Sequence, residues 1–249
     1  MKVVFHQDFL PSYTADPAAE GGRMEAIERA IRGKATFIEA VPAPEEAIAA
    51  VHTAAHIERV RREGLYDIAA LAAGGAIQAA GIGLQEPCFA MIRPPGHHAS
   101  AGSAWGFCYF NNMAIALEAL FRQKRIASAF ILDFDLHFGD GTVNIFGGRP
   151  EITILNPSSA ERSQYLQIVH DHLAAQRYDV IGVSAGFDHH LEDWGGLLMT
   201  ADYSEMGRMV RAAVRKNSGG CFAVLEGGYN HRVLGANVLA FLEGLGGEE

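Results

Sequence analysis

Short apolar runs alternate with helix-length amphipathic segments along nearly the whole chain. Residues 2–6, 36–40, 88–92, 127–132, 151–155, 179–184 and 221–225 read as strands. Residues 21–32, 53–63, 67–83, 111–123, 164–176, 202–216 and 231–244 read as helices. A further helix begins at Pro44-Glu45-Glu46, with proline and acids in its first turn. Strands separated by helices form parallel βαβ units with helices on both sheet faces, so the expected class is α/β. The 249 residues contain no Pro/Ser-rich linker or charge block, so residues 1–249 are expected to form one domain.

In an open parallel sheet the ligand site lies outside the carboxyl ends of the strands. Four polar clusters fall at such ends: His97-His98, Asp133 to His137, Gly186-Phe187-Asp188, and Glu226-Gly227-Gly228-Tyr229. In DFDLH the metal-capable side chains Asp133, Asp135 and His137 occupy every second position. Strand alternation would point them one way, with Phe134, Leu136 and Phe138 on the other face. The bland alternative is a polar strand end entering a Gly-rich turn. Asp135, His137 and Asp188 together would give three protein ligands and leave a position for water, the pattern of a catalytic metal site. Two oxygens and a nitrogen suit Zn²⁺ and leave Fe²⁺ or Co²⁺ open. The bland reading of Asp188 is a loop cap.

His97 and His98 would need separate orienting partners to play distinct roles, and Asp133 and Asp140 are the available carboxylates. Otherwise they are two surface-loop histidines. Tyr229 follows two glycines, and its phenol could donate to a developing oxyanion; the alternative is a tyrosine packed at a rim. His52 and His56 have helical metal-pair spacing, but HTAAH lacks the glutamate of the zinc-protease motif, so both read as structural or solvent-facing. His189 and His190 are adjacent and should point apart. Gly139-Asp140-Gly141 lacks the lysine of a phosphate loop.

The formal charge of −9 argues against a bulk nucleic-acid binder. Three cysteines without C-x-x-C spacing suggest buried thiols in a reducing compartment, and Cys108 has no assignable acid–base partner. No signal-peptide pattern opens the chain, and the Ala/Gly-rich stretch 68–84 is too weakly apolar to suggest a membrane span. A cytoplasmic location is expected.

The motifs RPPGHHA (93–99), GFCYFNN (106–112), DFDLHFGDGT (133–142), SAGFD (184–188) and LEGGYN (225–230) occur in this order. Together with DWGGLLMT (193–200), they resemble the histone deacetylase superfamily, including bacterial acetylpolyamine amidohydrolases. The resemblance implies a three-layer α/β/α, arginase-like fold with a mostly parallel sheet of about eight strands. It implies that Asp135, His137 and Asp188 bind zinc. It further implies that His98, supported by Asp140, is general base and then acid, and that His97 pairs with Asp133. Tyr229 would polarise the acyl oxygen, and Asp133 with the chain near Asp135 and His137 would hold a structural potassium ion. Phe107 resembles one aromatic wall of a substrate tunnel, bordered by Gly106 and Gly228.

Departures are equally specific. Phe138 replaces a second histidine at a position that is not a metal ligand. The segment PSSAER (157–162) and the short passage through 64–70 leave little chain for rim loops. An open cleft is therefore expected, without a full aromatic wall facing Phe107. The expected function is metal-dependent hydrolysis of an acylated small amine or acetyl-lysine, with oligomerisation not readable. The alternatives are a catalytically weak acyl-ligand-binding protein and a two-metal ureohydrolase. The latter would want additional bridging ligands in place of His97-His98.

Overall fold

The computed structural model describes residues 1–175 and 177–247. In chain order the elements are β1 (Lys2–Phe5), α1 (Arg23–Ile31), β2 (Thr36–Glu39), α2 (Glu45–Ala49), α3 (Ala54–Arg62), α4 (Tyr66–Gly83) and β3 (Cys88–Ala90). Then follow α5 (Asn112–Arg122), β4 (Ala129–Asp133), α6 (Asp140–Phe146), β5 (Ile152–Leu155), α7 (Arg162–Ala175), β6 (Val180–Ala185), α8 (Thr200–Asn217), β7 (Gly220–Leu225) and α9 (His231–Gly246). Among the described residues seven strands form one sheet in the order β2-β1-β3-β7-β6-β4-β5, close to the eight expected. Every pairing is parallel.

Strands β4, β6 and β7 are buried along their whole length. That is why AFIL, VIGV and CFAVL read as unbroken apolar runs rather than alternating ones: helices cover both faces. The helices pack in two groups, α2 to α6 on one side and α1, α7, α8 and α9 on the other, giving three layers. Helix α4 is alanine- and glycine-rich and largely buried, as a closely packed core helix should be. No helix among the described residues is long and apolar enough to cross a membrane.

Three local details differ from expectation. Asp140 begins α6, which was not expected from the sequence, as an acid in a first helical turn where it favours the dipole. Strand β4 ends at Asp133, so pleating does not aim Asp135 and His137. Their direction comes from side chains bonding the backbone two residues on: Asp135 N donates to Asp133 Oδ1 at 3.3 Å, and His137 N to Asp135 Oδ1 at 2.9 Å. The helix expected over 164–176 starts two residues earlier, and its expected last position lies outside the described residues.

Candidate active site

Strands β3, β7, β6 and β4 are consecutive neighbours in the sheet, so the segments leaving their carboxyl ends meet above it. Asp135 and His137 follow β4, Asp188 follows β6, Tyr229 follows β7, and His97-His98 follow β3.

One ligating atom from each of Asp135, His137 and Asp188 falls within 4.8 Å of the others. His137 Nδ1 lies 3.2 Å from Asp135 Oδ1 and 3.1 Å from Asp188 Oδ2. The remaining carboxylate oxygens are anchored: Gly227 N donates to Asp135 Oδ2 at 2.8 Å, and Leu136 N to Asp188 Oδ1 at 3.1 Å. Asp188 Oδ2 is buried and makes no hydrogen bond of its own. Two carboxylate oxygens and an imidazole nitrogen thus converge with lone pairs inward. Such a group is repulsive unless a cation, either a proton or a metal, lies among them. The hydrogen bond with Asp135 and the adjacent Asp188 carboxylate raise the His137 ring to about 10. Burial and the Asp135 charge push the Asp188 carboxyl up. Gly186 and Gly227 abut these carboxylates so closely that a Cβ at Gly227 would lie 2.6 Å from Asp135 Oδ2 and 2.7 Å from Asp188 Oδ2.

His97 and His98 have the separate partners that the sequence offered. His97 Nδ1 lies 3.1 Å from Asp133 Oδ2, and His98 Nδ1 lies 2.8 Å from Asp140 Oδ1. Burial alone would lower the His97 pKa, but the Asp135 and Asp133 charges hold it well above its ordinary value. His98 is driven the other way, to about 4, by burial and by His97. The Tyr229 phenol is pushed up by burial and so stays protonated. Gly106 and Gly228 have φ of +61° and +119°, conformations that favour glycine.

Several residues of this site had no role assigned from the sequence. Glu226 is fully buried, and its Oε2 accepts the amides of Gly96 (2.7 Å) and His97 (3.2 Å), fixing the turn that carries the two histidines. Arg23 of α1, also fully buried, donates to the carbonyls of Gly228 (2.8 Å) and Glu226 (2.5 Å). Asp193 Oδ2 accepts the amides of Tyr229 (2.8 Å) and Asn230 (2.7 Å). Glu226 and Asp193 lay within the quoted motifs, but nothing in the sequence pointed to Arg23.

The absence of an aromatic wall opposite Phe107 is corrected. Trp194 lies edge-on to Phe107 with ring centres 6.4 Å apart, and Phe107 lies edge-on to Tyr229 at 5.7 Å. Trp105, Phe107, Trp194 and Tyr229 line one pocket with His97, His98 and His137, and Gly106 borders it. Missing rim loops do not remove the wall because the DWGG segment after β6 supplies a bulky ring from a different part of the chain. A second cavity, lined by Phe138, Ser158, Ser159 and His189, adjoins Asp135 where the shortened 157–162 segment passes.

His52 and His56 are structural. His52 Nδ1 faces Ser100 O at 3.0 Å and its Nε2 accepts Asn111 N at 2.9 Å, while His56 Nε2 faces Tyr109 O at 2.6 Å. Together they hold the 97–111 loop, His52 from the turn before α3 and His56 from α3 itself. His190 is buried, and neither it nor His189 joins the Asp135 group. Cys108 is buried near His97 and Glu226, and burial pushes its thiol well above the ordinary range.

The family profile described as Histone deacetylase domain matches residues 19–165 and 153–245. A probable deacetylase of Methanothermobacter thermautotrophicus is 34% identical over 92% of this chain and 85% of its own. A probable deacetylase of Archaeoglobus fulgidus is 33% identical over 92% and 81%. A histone deacetylase-like amidohydrolase of Pseudomonas aeruginosa is 29% identical over 84% and 70%. Among solved structures, the HDA15 HD domain superposes with a TM-score of 0.84 at 24% identity, covering 99% of this chain and 89% of that one.

Proposed function

Because the chain belongs to the histone deacetylase family of hydrolytic deacetylases, we propose that it is a zinc-dependent amidohydrolase cleaving an acylated amine or acetyl-lysine. The single observation that carries the metal reading is the inward convergence of Asp135, His137 and Asp188 with no donor to satisfy Asp188 Oδ2. His137 would bind through Nδ1, the atom facing both carboxylates. When bound, zinc supplies Lewis acidity, polarising the acyl oxygen and lowering the pKa of an attacking water; Fe²⁺ or Co²⁺ would serve the same oxygen–nitrogen set.

The protein's own groups do the rest. His98 has Nδ1 committed to Asp140, so Nε2 is the atom that takes the proton of the attacking water and later delivers it to the leaving amine nitrogen. Its low pKa keeps it unprotonated and ready to accept. His97, held by Asp133, supports the developing negative charge electrostatically. The Tyr229 hydroxyl donates to the developing oxyanion. Phe107 and Trp194 flank the acyl-bearing chain, with Gly106 at its border; Gly227, not Gly228, is the glycine of the 226–229 turn that lines the pocket.

Asp133, with the chain at Asp135 and His137, is read as a structural potassium site. Ser184, the register partner of Asp133 on β6, has a buried hydroxyl without a hydrogen-bond partner, which supports a cation there. The whole chain is read as one catalytic domain. The test is elemental analysis of purified protein combined with turnover of acetyl-lysine peptides, acetylated polyamines and small acyl amides. A protein that binds no transition metal and hydrolyses none of them after zinc reconstitution would overturn the reading.

A further inference from the structure

Trp105 contacts both members of the His98–Asp140 pair. Its indole N–H donates to Asp140 Oδ2 at 2.8 Å, while His98 Nδ1 lies 2.8 Å from the other oxygen, Oδ1. Its ring stacks on the His98 imidazole with centres 3.7 Å apart and planes at 30°. The His97 ring also packs against the same imidazole, with centres 4.0 Å apart. The His98 ring is therefore packed by two rings, and the second oxygen of the carboxylate that orients it is held by Trp105.

The grip matters because Asp140 is poorly held otherwise. It begins the seven-residue helix α6, and its side chain is 35% exposed. A carboxylate about one-third exposed at a helix start has several accessible rotamers, and each one that leaves His98 frees the wrong tautomer. A second donor on Oδ2 selects the rotamer that points Oδ1 at His98. Burial pushes the Asp140 carboxyl up, but the donations from Trp105 and His98 more than reverse this and hold it below the ordinary range. The stacked π face adds a second effect, since it favours a cationic ring over a neutral one once His98 has accepted a proton.

We infer that Trp105 is a positioning residue for the His98–Asp140 pair, acting through Asp140 and not through the substrate. The inference rests on the catalytic reading of His98 given above. Trp105 is itself half exposed, at 53%, which sets it apart from a core tryptophan kept for packing.

Steady-state kinetics on zinc-reconstituted wild type, Trp105→Phe and Trp105→Leu test it, with metal content and circular dichroism as controls. Trp105→Phe keeps a stacking ring and loses the N–H; kcat should fall about tenfold with KM within about twofold, as expected for an effect on acid–base help worth ~10²–10⁴ in total. Trp105→Leu loses both contacts and should fall further, by about 10². In an Asp140→Asn background, Trp105→Phe should cost less than about twofold, because residues acting as one unit are non-additive. The imidazole ¹⁵N spectrum reads the His98 tautomer without turnover: one tautomer in wild type, a mixture in Trp105→Leu. Wild-type kcat and an unmixed tautomer in both variants would overturn the inference, as would an undiminished Trp105→Phe effect in the Asp140→Asn background. Failure of wild type itself to hydrolyse any acyl amide would instead strike the proposed function, and the ¹⁵N spectra would still decide the role of Trp105.

Discussion

Trp194 lies almost parallel to Tyr229, with ring centres 4.0 Å apart and planes at 26°. Asp193 fastens the two together, since it accepts the Trp194 amide on Oδ1 and the Tyr229 amide on Oδ2. The wall of the pocket and the phenol beside it therefore form one unit. Trp194→Ala should widen the pocket between Phe107 and Tyr229. Losing about 50 Å² of apolar contact costs ~1 kcal/mol, or about fivefold in KM for a linear acyl-lysine chain. The same change should raise kcat/KM for branched acyl groups relative to acetyl. Measuring kcat/KM over an acyl series checks this; an unchanged ranking would show that the indole is not part of the substrate wall.

Asp188→Ala should abolish stoichiometric metal binding and activity while the circular dichroism spectrum is retained. Its Oδ2 is the buried oxygen with no hydrogen bond, aimed at His137 Nδ1. Elemental analysis finding one tightly held metal per mutant chain would refute its place in the ligand set.

Tyr229→Phe should lower kcat by ~10²–10³, the usual cost of losing one oxyanion donor, and leave metal content intact. The backbone anchor is the Tyr229 amide to Asp193, which phenylalanine keeps. Turnover at the wild-type rate would reduce Tyr229 to a packing role.

The parts of the fold legible in the sequence are those set by burial period. Strands β6 and β7 are apolar throughout because both faces are covered, and such runs are readable without any partner. The Asp135, His137 and Asp188 group and the two His–Asp pairs were legible because these residues sit at neighbouring strand ends within linked motifs. Trp105 and Trp194 were not, because a single aromatic in a loop belongs to no period and its contacts are tertiary. Arg23 meets the site across 205 residues of sequence, a pairing that no local pattern encodes. Helix α6 was missed because Gly-Asp-Gly is as good a turn as a helix start.

His52 should remain uncharged well into acid. Burial, then the neighbouring His56, lowers its pKa to about 4 from an ordinary value near 6.5. The folded state thus binds fewer protons at this site than the unfolded chain between those values. Its contribution is complete above about pH 6.5 and is lost as the pH falls toward 4, by up to about 3 kcal/mol. An NMR titration of the His52 ring checks the shift, and a midpoint near 6.5 would contradict it.

Strand β7 is the last in the chain, yet it lies between β3 and β6 in the middle of the sheet. Until it is in place, β2-β1-β3 and β6-β4-β5 are two separate half-sheets, each with an unpaired edge facing the gap. During synthesis His97 and His98 therefore stand on one half-sheet and Asp135, His137 and Asp188 on the other. Residues 220–225 supply the strand that pairs with both. A truncation before residue 220 would leave two open edges as well as no Tyr229, and so a chain prone to aggregate.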